Sequence, residues 1–137
     1  MFLVGALHLS QIPGMIAAPR LLRWKEELQK ISPINRYIFV VLIGGIIISM
    51  LGSGVVVMVN SREIINGSKF SASFTCYLAL LWSYRFFIQA VVYTRLWPRD
   101  AIGVTSHLGL VVLFGFQTIA YWSAFGFNLM KSFSTRI

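Results

Sequence analysis

Between Phe70 and Tyr93 the chain reads FSASFTCYLALLWSYRFFIQAVVY. This run is long enough to cross a bilayer, yet it carries one full charge, Arg85, and one amide, Gln89. A spanning helix needs roughly 20 mostly apolar residues, and a charge at its centre costs at least ~2.5 kcal/mol on insertion scales. The four acidic residues, Glu26, Glu27, Glu63 and Asp100, all lie outside the apolar runs. Arg85 therefore either snorkels to the surface or points at a group that this chain does not supply.

Two further runs have the same character, Tyr37–Val59 and Gly103–Phe127. Together they predict an all-α integral membrane protein with three transmembrane helices, at about 37–59, 70–93 and 103–127. Of the 137 residues, 57% are hydrophobic and 12% charged, which leaves too little polar surface for a soluble domain of this size. The length accommodates a single membrane domain over 1–137 and leaves no room for a separate catalytic domain. The formal charge of +8 would suggest nucleic acid in a soluble protein. Here the basic residues sit between the apolar runs, where they set topology and meet anionic headgroups, so no nucleic-acid partner is expected. The single cysteine, Cys76, excludes an intrachain disulfide and a cysteine-based metal centre.

The first 18 residues form an uncharged apolar segment with no basic n-region, so it does not read as a secretory signal. Pro13 and Gly14 interrupt it beside the polar cluster His8, Ser10 and Gln11. The expected form is a short helix and loop at the interface or against the bundle, with a kinked fourth membrane segment as the alternative. Residues 19–31 predict an amphipathic helix that opens at Pro19. Leu21, Trp24, Leu28 and Ile31 form its apolar stripe, and Glu26 with Lys30 an i,i+4 pair. Such a helix is interfacial, with Trp24 at headgroup level, or it docks a soluble partner subunit.

Ser32 and Pro33 signal the start of the first span. Within it Gly45, Ser49 and Ser53 recur every four residues, a small-residue stripe that admits close helix packing. Residues 60–69 are a polar connection in which Asn66-Gly67-Ser68, a glycosylation triplet, reads as a turn. The next connection holds Arg95, Trp97, Arg99 and a helix stop at Pro98. Tyr121 and Trp122 suit an aromatic belt, and residues 128–137 form a weakly basic tail. The expected interface and lipid anchors are Arg20, Arg23, Trp24, Lys25, Arg95, Trp97 and Arg99.

Counting Lys and Arg sets the orientation. Arg20, Arg23, Lys25, Lys30, Arg36, Arg95 and Arg99 fall on one side, against Arg62, Lys69, Lys131 and Arg136 on the other. The positive-inside rule places the amphipathic helix on the cytoplasmic side and the C-terminus opposite. The bacterial inner membrane is the first expectation and an organellar membrane the second. At 1.5 Å per residue, Gln89 and His107 then share a level roughly 6 Å below the inner boundary, with Arg85 near 12 Å.

This predicts a polar cluster of Arg85, Gln89 and His107. Three uses are open to it: structural satisfaction between helices, an anionic partner from another subunit, or a small-molecule site. A haem would be shared with a second chain, because His8 is the only other histidine and lies in the interrupted N-terminal segment. No catalytic dyad, metal motif or phosphate-binding loop is present in the sequence. The leading expectation is an accessory, non-catalytic structural subunit of a larger membrane complex, an energy-converting one among the candidates, that packs against larger subunits and lipids. A haem- or quinone-binding anchor of a redox complex comes second, and a small homo-oligomeric channel or transporter third.

Overall fold

The computed structural model describes residues 1–97 and 99–134, without the side chains of Leu21 and Leu96. The expected helix stop at Pro98, the end of the tail with Arg136, and the contribution of Leu21 to the apolar stripe lie outside the described residues. Among the described residues the chain is helical, with no strand. Four stretches are long and apolar enough to cross a membrane: Phe2–Arg20, Pro33–Val59, Lys69–Arg95 and Ala101–Ser134. The chain divides into two compact units, Met1–Ser61 and Arg62–Ile137.

In the first unit, α1 (Phe2–Ser10) and α2 (Ile12–Leu21) run in sequence with only Gln11 between them. The interruption expected at Pro13 and Gly14 does not occur, so the N-terminal segment takes the form of the fourth long helix. Pro13 sits in the first turn of α2, where its missing N–H has no helical partner to lose. The backbone carries on through the junction, with Gln11 N donating to His8 O and Met15 N to Gln11 O. Ser10 Oγ and Gln11 Nε2 both donate to Leu7 O, which settles the polar side chains locally.

The expected amphipathic helix is shorter than 19–31. Pro19 lies inside α2 and not at a helix start, and the chain turns at Arg23, whose φ of 50° is left-handed. Beyond the turn comes only the short α3 (Trp24–Gln29). Proline's fixed φ is helical, so near a C-terminal end it removes one hydrogen bond without stopping the helix. Trp24 packs edge-on against Phe39 with ring centroids 5.1 Å apart, and Arg36 Nε donates to Leu28 O. Lys30 pairs with Glu27 at 2.7 Å and not with Glu26, because the helix ends before an i,i+4 geometry is reached.

Helix α4 (Pro33–Val59) begins at its Ser32 cap with Pro33 in the first position, four residues before the expected span. It runs antiparallel to α1, with Gly5 against Met58 and His8 against Ser53 and Gly54. The face that meets α1 is Met50, Gly54 and Val57, all buried. Of the expected stripe only Ser53 takes part. Gly45 and Ser49 are exposed, and a Cβ on Gly45 would meet nothing within 4 Å.

In the second unit a 3₁₀ turn (Glu63–Ile65) leads into α5 (Lys69–Phe87). A π-helical segment (Ile88–Val92) and α6 (Tyr93–Leu96) continue the same rod. The return helix, α7 (Ala101–Ser134), starts on Asp100, whose Oδ1 accepts from Gly103 N at 3.1 Å. It extends past the expected end at Phe127, since no proline or glycine comes after Gly126. At 34 residues it spans about 51 Å. Tyr121 and Trp122 consequently lie within the helix and not at its end. Tyr121 is buried against the hairpin, and Trp122 Nε1 donates to Ser83 Oγ at 3.0 Å.

Candidate functional site: a polar seam in the second hairpin

Helices α5 and α7 run antiparallel, and polar groups meet along their seam at both ends. Toward the end where the connection to α7 closes the hairpin, Gln89 Nε2 and His107 Nδ1 are 2.9 Å apart. With Gln89 donating to Nδ1, the ring proton lies on Nε2 and faces Thr94 Oγ1 at 3.3 Å. The Thr94 hydroxyl in turn donates to Ala90 O. The three side chains make one directed chain that ends on the backbone, and both imidazole nitrogens are engaged. Trp97 covers the ring with centroids 5.8 Å apart, while its Nε1 donates to Ser106 Oγ.

The π segment positions this chain. Gln89 is its second residue and is 3% exposed. A π turn accommodates an extra residue per turn and so shifts the register of the residues beyond it. It allows Gln89 and Thr94, five apart, to address the two nitrogens of one ring. Uninterrupted α-helical spacing would place residues five apart about 140° from one another.

Arg85 lies one turn before Gln89 and is half-buried. Its guanidinium carbon sits 5.5 Å from the Trp82 ring centroid and 5.3 Å from that of Phe114. Within the chain Arg85 has partners of its own. The chain itself supplies two aromatic faces, and cation–π contacts of this kind are worth about 0.5–2 kcal/mol. Arg85 and Gln89 lie on one length of the rod, but the hydrogen bonds of His107 run to Gln89 and Thr94, and Arg85 is held by the aromatic pair.

At the other end the seam is organised by Asn128, which sequence reasoning assigned to the tail. It is fully buried, and it accepts from Gly67 N (3.0 Å) while donating to Ile64 O (2.8 Å) and Thr75 Oγ1 (3.3 Å). The loop it clasps is built from the Asn66-Gly67-Ser68 triplet, which forms the expected turn. Asn66 Oδ1 accepts from Ser68 N, Ser68 Oγ caps α5 through Ser71 N, and Ser71 Oγ donates to Glu63 O. Gly67 has a φ of +84°, and a Cβ there would fall within 3 Å of the Lys131 stem. One signal for Asn128 was available in the sequence. It falls four and seven residues beyond Ala124 and Tyr121, on the helix face that carries the other inward residues of α7.

The first hairpin has a smaller polar contact, His8 Nδ1 with Ser53 Oγ at 3.2 Å, and His8 is fully buried. Among the described residues no three His, Cys, Asp or Glu side chains converge to hold a metal ion. The remaining expected anchors, Arg20, Lys25, Arg95 and Arg99, are exposed, and Trp97 is half-exposed. Comparison with known proteins gives no match to a family model, a curated protein or a solved structure.

Proposed function

We propose that this chain is an accessory, non-catalytic subunit of a larger membrane complex. It packs against partner helices and lipid, in the bacterial inner membrane first and an organellar membrane second. One observation carries the reading: each hairpin directs polar groups inward onto its own helices while its outer faces are apolar. His8 bonds to Ser53, Gln89 to His107, and Asn128 to the loop ahead of α5. Outside, Val41, Leu42, Ile48 and Val59 of α4, and Phe70, Tyr77, Leu80 and Tyr84 of α5, stand exposed. Apolar surface of that extent belongs against lipid or other helices. Polar side chains that bond between neighbouring helices fix the geometry of each hairpin.

The test is to wash native membranes with carbonate, solubilise them in mild detergent and identify what co-migrates. Retention in the washed membrane and migration with larger subunits support the reading. Release by carbonate ends the membrane assignment, and migration as a pure homo-oligomer ends the accessory assignment.

A second reading, a quinone-binding anchor, is favoured by the π segment at Gln89, since π turns recur at functional sites. His107 Nε2 would donate to a quinone carbonyl in place of Thr94. Haem ligation fits less well, because it would need that same nitrogen deprotonated and released. A stoichiometric quinone in the purified fraction, lost on His107→Leu, would establish this second reading.

A further inference from the structure

On the second unit an open groove of about 690 Å³ runs between α5 and α7. Its walls are Ala72, Cys76 and Leu80 of α5 with Phe125 and Leu129 of α7, and Lys69 lines one end. We infer that this groove seats one acyl chain of an anionic phospholipid, with the lipid phosphate held by the Lys69 ammonium. The inference rests on the proposed membrane function and adds a defined site and a headgroup charge.

Size, length and charge argue for this occupant. The volume falls within the roughly 300–1,000 Å³ usual for small-molecule sites, but the groove is open along one side, as suits a ligand that stays part of a bilayer. Lys69 is the first residue of α5 and Leu80 lies eleven residues along it. That separation is about 16 Å, close to half of the ~30 Å hydrocarbon core. A chain laid from Lys69 to Leu80 therefore matches the depth of one leaflet and leaves its headgroup at the lysine. Lys69 is exposed, and among the described residues no ion pair engages it. Ser132 lines the groove from α7, and beyond Lys69 the lining is mainly apolar, with Ser73 and Tyr77 adding hydroxyls. A partner helix in the groove would instead have to place an acidic or polar residue at Lys69, which is an outcome the experiment can detect.

Cys76, half-exposed on the groove wall and the only cysteine, reports occupancy directly. The full-length protein in mixed detergent micelles is alkylated with N-ethylmaleimide while phosphatidylglycerol or phosphatidylcholine is titrated in. Both lipids are expected to slow alkylation, phosphatidylglycerol at about fivefold lower mole fraction, the worth of one basic side chain at an anionic surface. Lys69→Gln, at an exposed helix start, should bring the two lipids to the same half-protecting fraction. Equal protection in the wild-type protein would overturn the headgroup assignment. Fast alkylation at every lipid content would overturn the site. If Cys76 is shielded in the purified native complex but freed when subunits dissociate without loss of lipid, a protein helix covers the groove and the lipid proposal fails. Those results leave the membrane-subunit reading standing, which falls instead on release by carbonate or on migration as a pure homo-oligomer.

Discussion

At the scale of single residues, the second hairpin contains two polar arrangements of unequal weight. Asn128 satisfies a backbone N–H, a backbone C=O and a hydroxyl, all at a fully buried position. Each buried group left unpaired costs about 1–3 kcal/mol, so Asn128→Leu should destabilise the protein by roughly 2–4 kcal/mol. Gln89 makes one side-chain bond to His107, and bonds of that kind between membrane helices average only about 0.6 kcal/mol with a maximum near 1.7. Gln89→Leu should therefore cost far less than Asn128→Leu in the same SDS-titration unfolding assay. Equal losses would mean that the loop clasp is less important than its bonds imply. Arg85 allows a sharper comparison. If the Trp82 and Phe114 faces are its main partners, Arg85→Met keeps the stem and removes a costly buried charge, and the hairpin should keep its stability within about 1 kcal/mol. A carboxylate or phosphate from a neighbouring subunit would instead be stranded by the substitution. Loss of co-purifying subunits with an intact isolated hairpin would reveal that hidden partner.

At the scale of elements, the helices were legible in the sequence wherever length and hydropathy decide, and less so where a single contact decides. The runs at 37–59, 70–93 and 103–127 all appear as helices, and the shared level of Gln89 and His107 came from counting rise per residue. Reading Pro13 as a break failed because a proline in the first turn of a helix costs nothing there, and Gln11 with Ser10 serves the junction locally. The small-residue stripe failed for a different reason. Periodicity finds glycines and serines but not the partner, and α1 approaches at Gly54, one residue beyond Ser53, with Gly5 facing it. The π segment was invisible because no residue type signals it. The packing contrast gives a prediction. A Cβ on Gly5 would lie 2.8 Å from Met58 N and 2.9 Å from Gly54 O, both backbone atoms that cannot swing aside. Gly5→Leu should lower stability by about 1–3 kcal/mol through overpacking. Gly45→Leu, on an open face, should leave the isolated protein nearly unchanged. If Gly45→Leu nevertheless detaches the chain from its complex, that face is a contact with another subunit.

At the scale of the molecule, the two units carry opposite charge patterns. All five Lys and Arg of the first, Arg20, Arg23, Lys25, Lys30 and Arg36, lie at the end where its two long helices join. In the second, Arg95 and Arg99 lie at the end where the long helices join, while Arg62, Lys69 and Lys131 lie at the other end. Taken by itself the second unit would favour the reverse orientation, so under the positive-inside rule the proposed orientation rests on the first. Helix α4 offers a clean readout, because Ser32 caps one end and Asn60 the other. In a Cys76→Ala background, Ser32→Cys should react with an impermeant maleimide only from the cytoplasmic side, and Asn60→Cys only from the opposite side. Neutralising the five basic residues of the first unit to Gln removes its contribution and leaves the second unit's bias unopposed. The labelling pattern of Ser32→Cys and Asn60→Cys should then invert in a substantial share of molecules. An unchanged pattern would show that the charges do not set the orientation. Insertion would then be dictated by a partner already in the membrane, and the basic segment around α3 would be free to serve as a docking surface on the cytoplasmic face.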